Sequence, residues 1–234
     1  MFGRAKVAML VAEFFAAATL TLVVSSVASY ANPRFGLPAL FVGTAAGLTM
    51  GLMVLVVGKS SGAHGNPAIT LGLWSLRRIP TTQAIAFIAS QLLGGVAAMS
   101  LYQYLTGQTL QSIASSNFDT RVLVAEIVGT FIFGFGVAAA VTQKLDNWNW
   151  AVTVGVSLAL GMMVASVASN GLLNPAVAIG TRSISQAYIL GPLAGALVGM
   201  NIYQWIFVGR PARAAAVTTG TKTSKTKRTA KRRR

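Results

Sequence analysis

The sequence predicts an all-α membrane protein, six transmembrane helices plus two re-entrant half-helices in an inverted repeat. Three observations carry this. Charge is too sparse for a water-soluble fold, six apolar runs are each long enough to cross a bilayer, and a short Asn-Pro-Ala segment occurs at matching places in the two halves.

Of the 234 residues, 54% are hydrophobic and 10% charged, against roughly 25% charged in an ordinary soluble domain. Mean hydropathy is +0.64. So few charges cannot clothe a soluble globule, which excludes a soluble enzyme. The absence of cysteine excludes a disulfide, a thiolate nucleophile, an iron–sulfur cluster and a cysteine zinc site. A single histidine, His64, leaves no multi-histidine metal site. The net charge of +15 is uneven, since ten of the 19 cations lie between Arg210 and Arg234. The basicity belongs to a tail and not to a face of the fold.

The first apolar run, about residues 7–29, follows Arg4 and Lys6, and Ser29-Tyr30-Ala31 resembles a cleavage site. The run is too long for a signal-peptide core of ~7–15 residues, so it reads as a retained span. Further runs at about 37–58, 82–105, 122–142, 149–168 and 186–208 are each of spanning length. Two shorter stretches, about 66–76 and 174–184, open on Asn66-Pro67-Ala68 and Asn174-Pro175-Ala176. Asparagine suits a helix N-cap and proline the first turn, so both read as half-helices entered from a loop. Irregular backbone at membrane depth is tolerated only where protein buries it or it lines a water-filled cavity. Two such elements therefore point to a pore or a binding site.

Ser61 to Gly72 aligns with Ser169 to Gly180, and Ala12-Glu13 in the first span has a partner in Ala125-Glu126 in the fourth. Residues 1–208 form the membrane domain, with repeats over 1–105 and 121–208. Each repeat has an odd number of spans, so the second enters the membrane from the opposite side and the half-helices meet near the middle. Six spans put both termini on one side, with Arg4, Lys6, Lys59, Arg77, Arg78, Lys144 and the tail cations. Arg34, Arg121 and Arg182 face the other side. The excess of positive charge places the termini in the cytoplasm. Glycines 43, 47 and 51, and 191, 195 and 199, recur every four residues and let helices approach closely.

Two helix starts meeting at mid-membrane bring two positive dipole ends and two asparagine amides to one level. A water there can accept hydrogen bonds from both amides. A cation meets two positive ends and no nearby carboxylate. The arrangement favours neutral polar solutes over cations and protons.

The stretch Ser61-Gly-Ala-His-Gly-Asn-Pro-Ala-Ile-Thr70, with its partner at Asn174, closely resembles the aquaporin and aquaglyceroporin (major intrinsic protein) family. The resemblance runs from the first span to about residue 208. It implies a right-handed bundle in the cell membrane, one pore per subunit, a homotetramer, no enzymatic activity and no cofactor. It also implies Glu13 and Glu126 as buried acids that hold the re-entrant loops through backbone N–H groups. A proton-relay pair is the rival role for them, with an ion-coupled transporter as its consequence. His64 is expected to brace its loop against Glu13 with partial exposure to the pore. In most of the family an arginine follows the second Asn-Pro-Ala; here that position is Val177. Family spacing gives Ala46, Met162 and Gly171 as the other constriction residues. That filter is uncharged and without aromatics, and wide unless Met162 folds across it. Arg182, five residues beyond Val177, is expected to be structural and not to swing into the pore.

The leading expectation is a passive channel for water and small neutral solutes. Glycerol, urea, ammonia or gas facilitation with little water selectivity is the alternative within the fold. A structural membrane protein that tethers lipid or nucleic acid is the alternative outside it. Residues 209–234 read as a disordered basic tail. They would be drawn to anionic lipid headgroups at about 1 kcal/mol per cation near the surface, with nucleic acid the less favoured partner.

Overall fold

The computed structural model describes residues 3–30, 38–112, 114 and 117–208. The tail expectation and Arg34 lie outside these residues. Among the described residues eight α-helices follow in order: α1 (Arg4–Tyr30), α2 (Pro38–Ser61), α3 (Pro67–Ser75), α4 (Thr81–Thr106), α5 (Thr120–Thr142), α6 (Asn147–Ala165), α7 (Pro175–Gly180) and α8 (Gln186–Tyr203). A π-helical turn, Gln204–Val208, extends α8. Among the described residues six helical segments are long and apolar enough to cross a membrane, and α3 and α7 are the two half-helices. Large apolar side chains such as Phe15, Leu48, Val56, Leu93, Val156 and Leu190 are exposed along the long helices, as a lipid-facing surface requires.

The helices begin where side chains satisfy their first N–H groups. Asp119 accepts from the Arg121 N–H at 2.7 Å, and Asp146 accepts from Trp148 and Asn149 at 3.0 and 3.1 Å. The Asn149 N–H and side-chain amide hold the Asp146 carboxyl below its usual range. Helix ends are also shared in form. Arg77, Lys144 and Arg182 each take a left-handed conformation, φ 57°, 52° and 56°. The N–H after each bonds five residues back: Arg78 to Leu73 O, Leu145 to Ala140 O, Ser183 to Ala178 O. This stop makes α7 shorter than expected. The sequence reading ran it to about residue 184, whereas it ends at Gly180.

Packing repeats between the halves. α1 lies on α4 and α2 as α5 lies on α8 and α6, and α2 against α6 joins the two repeats. Each half-helix packs on the last helix of the other repeat, α3 on α8 and α7 on α4, and the half-helices touch each other. Small residues set these distances. A Cβ on Gly155 would meet Gly47 O at 2.5 Å, and one on Gly43 or Gly51 would meet the carbonyls of Ala159 or Ala151 at 3.1 and 3.2 Å. Glycines 191, 195 and 199 do the same for α8 against α5, where Gly191 faces the Glu126 side chain.

Gly155→Leu should force α2 and α6 apart. The expected cost is at least about 1–3 kcal/mol, read as a lower melting temperature and a poorer yield of folded protein in detergent.

Candidate functional site

Each half-helix is entered through a short non-helical loop that turns by left-handed residues. In the first loop these are Gly62, Ala63 and Gly65, φ 95°, 51° and 54°; in the second, Gly171 and Leu173, φ 59° and 50°. Ala63 and Leu173 carry side chains in a region that costs about 1–2 kcal/mol per residue. The strain persists because the loop amides are bound. Successive N–H groups in such turns converge and make a nest for an anion.

The anions are Glu13 and Glu126, both fully buried. Glu13 Oε1 accepts from the His64 N–H at 2.9 Å and the Ser61 hydroxyl at 2.6 Å; its Oε2 accepts from the Gly65 N–H at 2.8 Å. Glu126 repeats this. Its Oε1 accepts from the Leu172 N–H at 3.0 Å and the Ser169 hydroxyl at 2.8 Å, and its Oε2 from the Leu173 N–H at 2.7 Å. Ser61 and Ser169 also accept from the N–H two residues on, at Ala63 and Gly171.

The loops deliver the two asparagines to each other. Asn66 caps α3 by accepting from the Ala68 N–H at 2.8 Å, and its amide donates to Leu173 O at 2.9 Å. Asn174 caps α7 by accepting from Ala176 at 2.9 Å and Val177 at 3.4 Å, and its amide donates to Gly65 O at 2.9 Å. The paired bonds fix the two helix starts face to face in the buried centre, with Pro67 and Pro175 in the first turns.

Comparison with known proteins agrees with this geometry. The family model of the major intrinsic proteins matches residues 4–203. The chain belongs to the major intrinsic protein family. It is 33% identical over 206 residues to Aquaporin Z of Photorhabdus laumondii, covering 78% of this chain and 89% of that protein. It is likewise 33% identical over 178 residues to Aquaporin NIP1-1 of Oryza sativa, where it spans 63% of the relative's length and 71% of its own. In fold it is similar to the aquaglyceroporin of Plasmodium falciparum, with a TM-score of 0.70 at 17% identity over 86% of this chain and 95% of that one. Membership makes the chain a multi-pass membrane channel for water and small solutes, and not an enzyme.

In this major intrinsic protein the constriction residues inferred from sequence sit in buried surroundings. Ala46, Met162 and Val177 belong to one apolar cluster and are 0, 3 and 1% exposed. Gly171 lies against the Met162 carbonyl, which a Cβ there would meet at 2.7 Å. Met162 is the one large side chain among them. Arg182 is exposed, and its guanidinium donates to Leu110 O at 3.4 Å. It ties the end of α7 to the segment after α4, which agrees with a structural role.

His64 braces its loop differently from the sequence expectation. Its backbone N–H, not its ring, reaches Glu13. The ring Nδ1 pairs with Thr70 Oγ1 at 3.0 Å, and the ring meets Phe87 edge to face with centroids 5.3 Å apart. Gln91 joins this group by donating to Glu13 Oε2 at 2.6 Å and to Thr70 Oγ1 at 2.8 Å. Gln91 and His64 thus meet on the one Thr70 hydroxyl, which can accept from the Gln91 amide and pair with the His64 ring at once. The second loop is tied elsewhere: Tyr188 OH accepts from the Asn170 N–H at 3.0 Å and its side-chain amide at 2.6 Å. Sequence reading missed Gln91, Thr70, Ser61 and Ser169 as site residues, and it weighed Tyr188 for solute type without its part in anchoring the loop. The serines were within reach, because both head the aligned repeat segments; a lone Gln or Tyr in an apolar helix carries no partner in its sequence.

Glu126→Ala leaves the Leu172 and Leu173 N–H groups buried without an acceptor, at about 1–3 kcal/mol each. The variant should lose both thermal stability and solute flux, whereas Ser169→Ala, which orphans only the Gly171 N–H, should cost about 1–3 kcal/mol and keep flux. Thermal unfolding and stopped-flow light scattering on the same preparations check this.

Proposed function

We propose that the chain forms a passive pore in the cell membrane, with both termini cytoplasmic. Water and small neutral solutes pass Asn66 and Asn174 in the middle and an uncharged constriction of Ala46, Met162, Gly171 and Val177. The reciprocal bonds Asn66 to Leu173 O and Asn174 to Gly65 O carry the reading. Each amide spends one N–H on the opposite loop, so its second N–H is available to a passing molecule that can accept. A hydrated cation gains nothing from amide donors and meets the positive ends of the two helix starts. Glu13 accepts four hydrogen bonds and Glu126 three, most of them from the loops, which argues against a proton-relay role and so against coupled transport.

Val177 gives the constriction no fixed charge and no donor. A neutral solute there is judged by shape and by the cost of shedding its water, not by hydrogen-bonded positioning. The width is governed by Met162, whose unbranched side chain adapts. Cation exclusion then rests on the mid-membrane asparagines. A homotetramer with one pore per subunit is the assembly supported by the family, and anionic lipid headgroups are the natural partners of the basic residues after 208.

Flux of water, glycerol, urea and ammonia into proteoliposomes tests the reading. Downhill, pH-independent flux of one or more of these is expected, and Val177→Arg should narrow conductance further towards water. Accumulation against a gradient would contradict the channel. Removing residues 211–234 should leave flux per folded protein unchanged; loss of flux on truncation would favour a tail-dependent role instead.

A further inference from the structure

We infer that the size limit of this pore is set on its inner side, by the rings of Phe133 and Trp150 closing against His64, and not at the outer constriction. Inner here means the face at which α1 begins. The inference rests on the channel reading above.

A small cavity of about 10 Å³ lies in this half of the molecule, which is room for about one water. Its walls come from both repeats: His64 and Ile69 from the first re-entrant segment, Phe133 and Val137 from α5, Trp150 and Val154 from α6. Phe133 and Val137 are one helical turn apart, as are Trp150 and Val154. Two rows of bulky apolar side chains therefore face one another along the inner half. Phe133, Ile69, Val137 and Val154 are all buried.

The His64 ring is held and Phe133 is buried, and that separates this place from the outer one. His64 is fixed by the hydroxyl of Thr70 and the edge of Phe87. Trp150 stands in the first turn of α6, where Asp146 caps the helix and its carbonyl accepts from the Trp150 N–H at 2.8 Å. Aromatic rings have few rotatable bonds, so they limit cross-section by shape. The outer constriction offers Ala46, Gly171 and Val177, and its one long side chain, Met162, is flexible.

The chemistry of the walls sharpens the selection. A water that enters finds the His64 ring edge as a polar partner. A three-carbon polyol is several times the volume of a water and must shed the waters on its hydroxyls, while the facing rings return no hydrogen bond. The inner cavity should therefore pass molecules of about the cross-section of water, ammonia included, and hold back glycerol.

The test compares glycerol-to-water permeability ratios in proteoliposomes for the wild-type chain and for Trp150→Ala, Phe133→Leu and Met162→Ala, each normalised to reconstituted folded protein. Trp150→Ala should raise the ratio by about tenfold with water flux retained. Phe133→Leu, the milder change in a buried position, should raise it in the same direction. Met162→Ala should leave it within about twofold. The inference is overturned if both inner variants leave the ratio at the wild-type value, or if Met162→Ala raises it more than either. A wild-type chain no faster than empty vesicles for every solute would sink the channel reading and this inference together. A conducting wild type with unresponsive inner variants would sink this inference alone.

Discussion

Backbone N–H groups cannot stay unpaired inside a bilayer, and this chain breaks two helices there. Everything in the site depends on how those loops are satisfied. The answer is a buried carboxylate for each, Glu13 under the first loop and Glu126 under the second. A carboxylate accepts several bonds at once, which no neutral side chain of that size matches. Binding two successive N–H groups also fixes the loop's curvature, because only alternating left-handed turns aim neighbouring amides at one point. That curvature carries Asn66 and Asn174 to the centre. The two acids are thus the condition for the asparagine pair, and the pair is the condition for the pore.

The repeat is not a strict duplicate, and the difference is chemical. In the first half, Gln91, Thr70 and His64 add a polar chain behind the loop. The corresponding places in the second half hold apolar groups: Leu172 stands for His64 and Ala178 for Thr70 in the aligned segments. The second loop is instead anchored at its start, by Asn170 on Tyr188. The first loop is therefore braced through a histidine that also borders the inner cavity. The second is braced away from Val177, and it leaves its constriction apolar. One side of the pore keeps a polar edge and the other does not.

How much of this was legible in the sequence follows from range. Six spans were legible because lipid demands an unbroken apolar run, and residue type alone reports it. The half-helices were legible because asparagine and proline act on their own helix, a few residues away. Glu13 and Glu126 were legible because the family resemblance assigned them to the loops, and a carboxylate in an apolar run needs such donors. Long-range pairs were not. Gln91 serves residues 21 and 78 positions distant, and nothing near it in the chain says so. The end of α7 was misjudged for a related reason. Arg182 adopts a left-handed turn, which its residue type does not announce as a glycine would. The inner rings were invisible as a pair, since an aromatic in an apolar helix reads as lipid-facing or core until its neighbours are known.

Charge exclusion and size exclusion need not occupy the same place in a pore. A fixed cation among close-packed side chains does both at once, but Val177 carries no charge. The duties must then fall to whatever else the walls offer. Repulsion of cations belongs where two helix starts and two amides converge, because that is where positive potential is least screened by solvent. Limitation by size belongs where the walls are stiff, and on the inner side the His64 ring is pinned by Thr70 and Phe87 beside the buried Phe133. Such a division has a consequence for change in sequence. Under the inner-ring inference, the outer constriction can drift among small apolar residues at little cost to size selection, whereas a single cut in an inner ring alters which solutes cross.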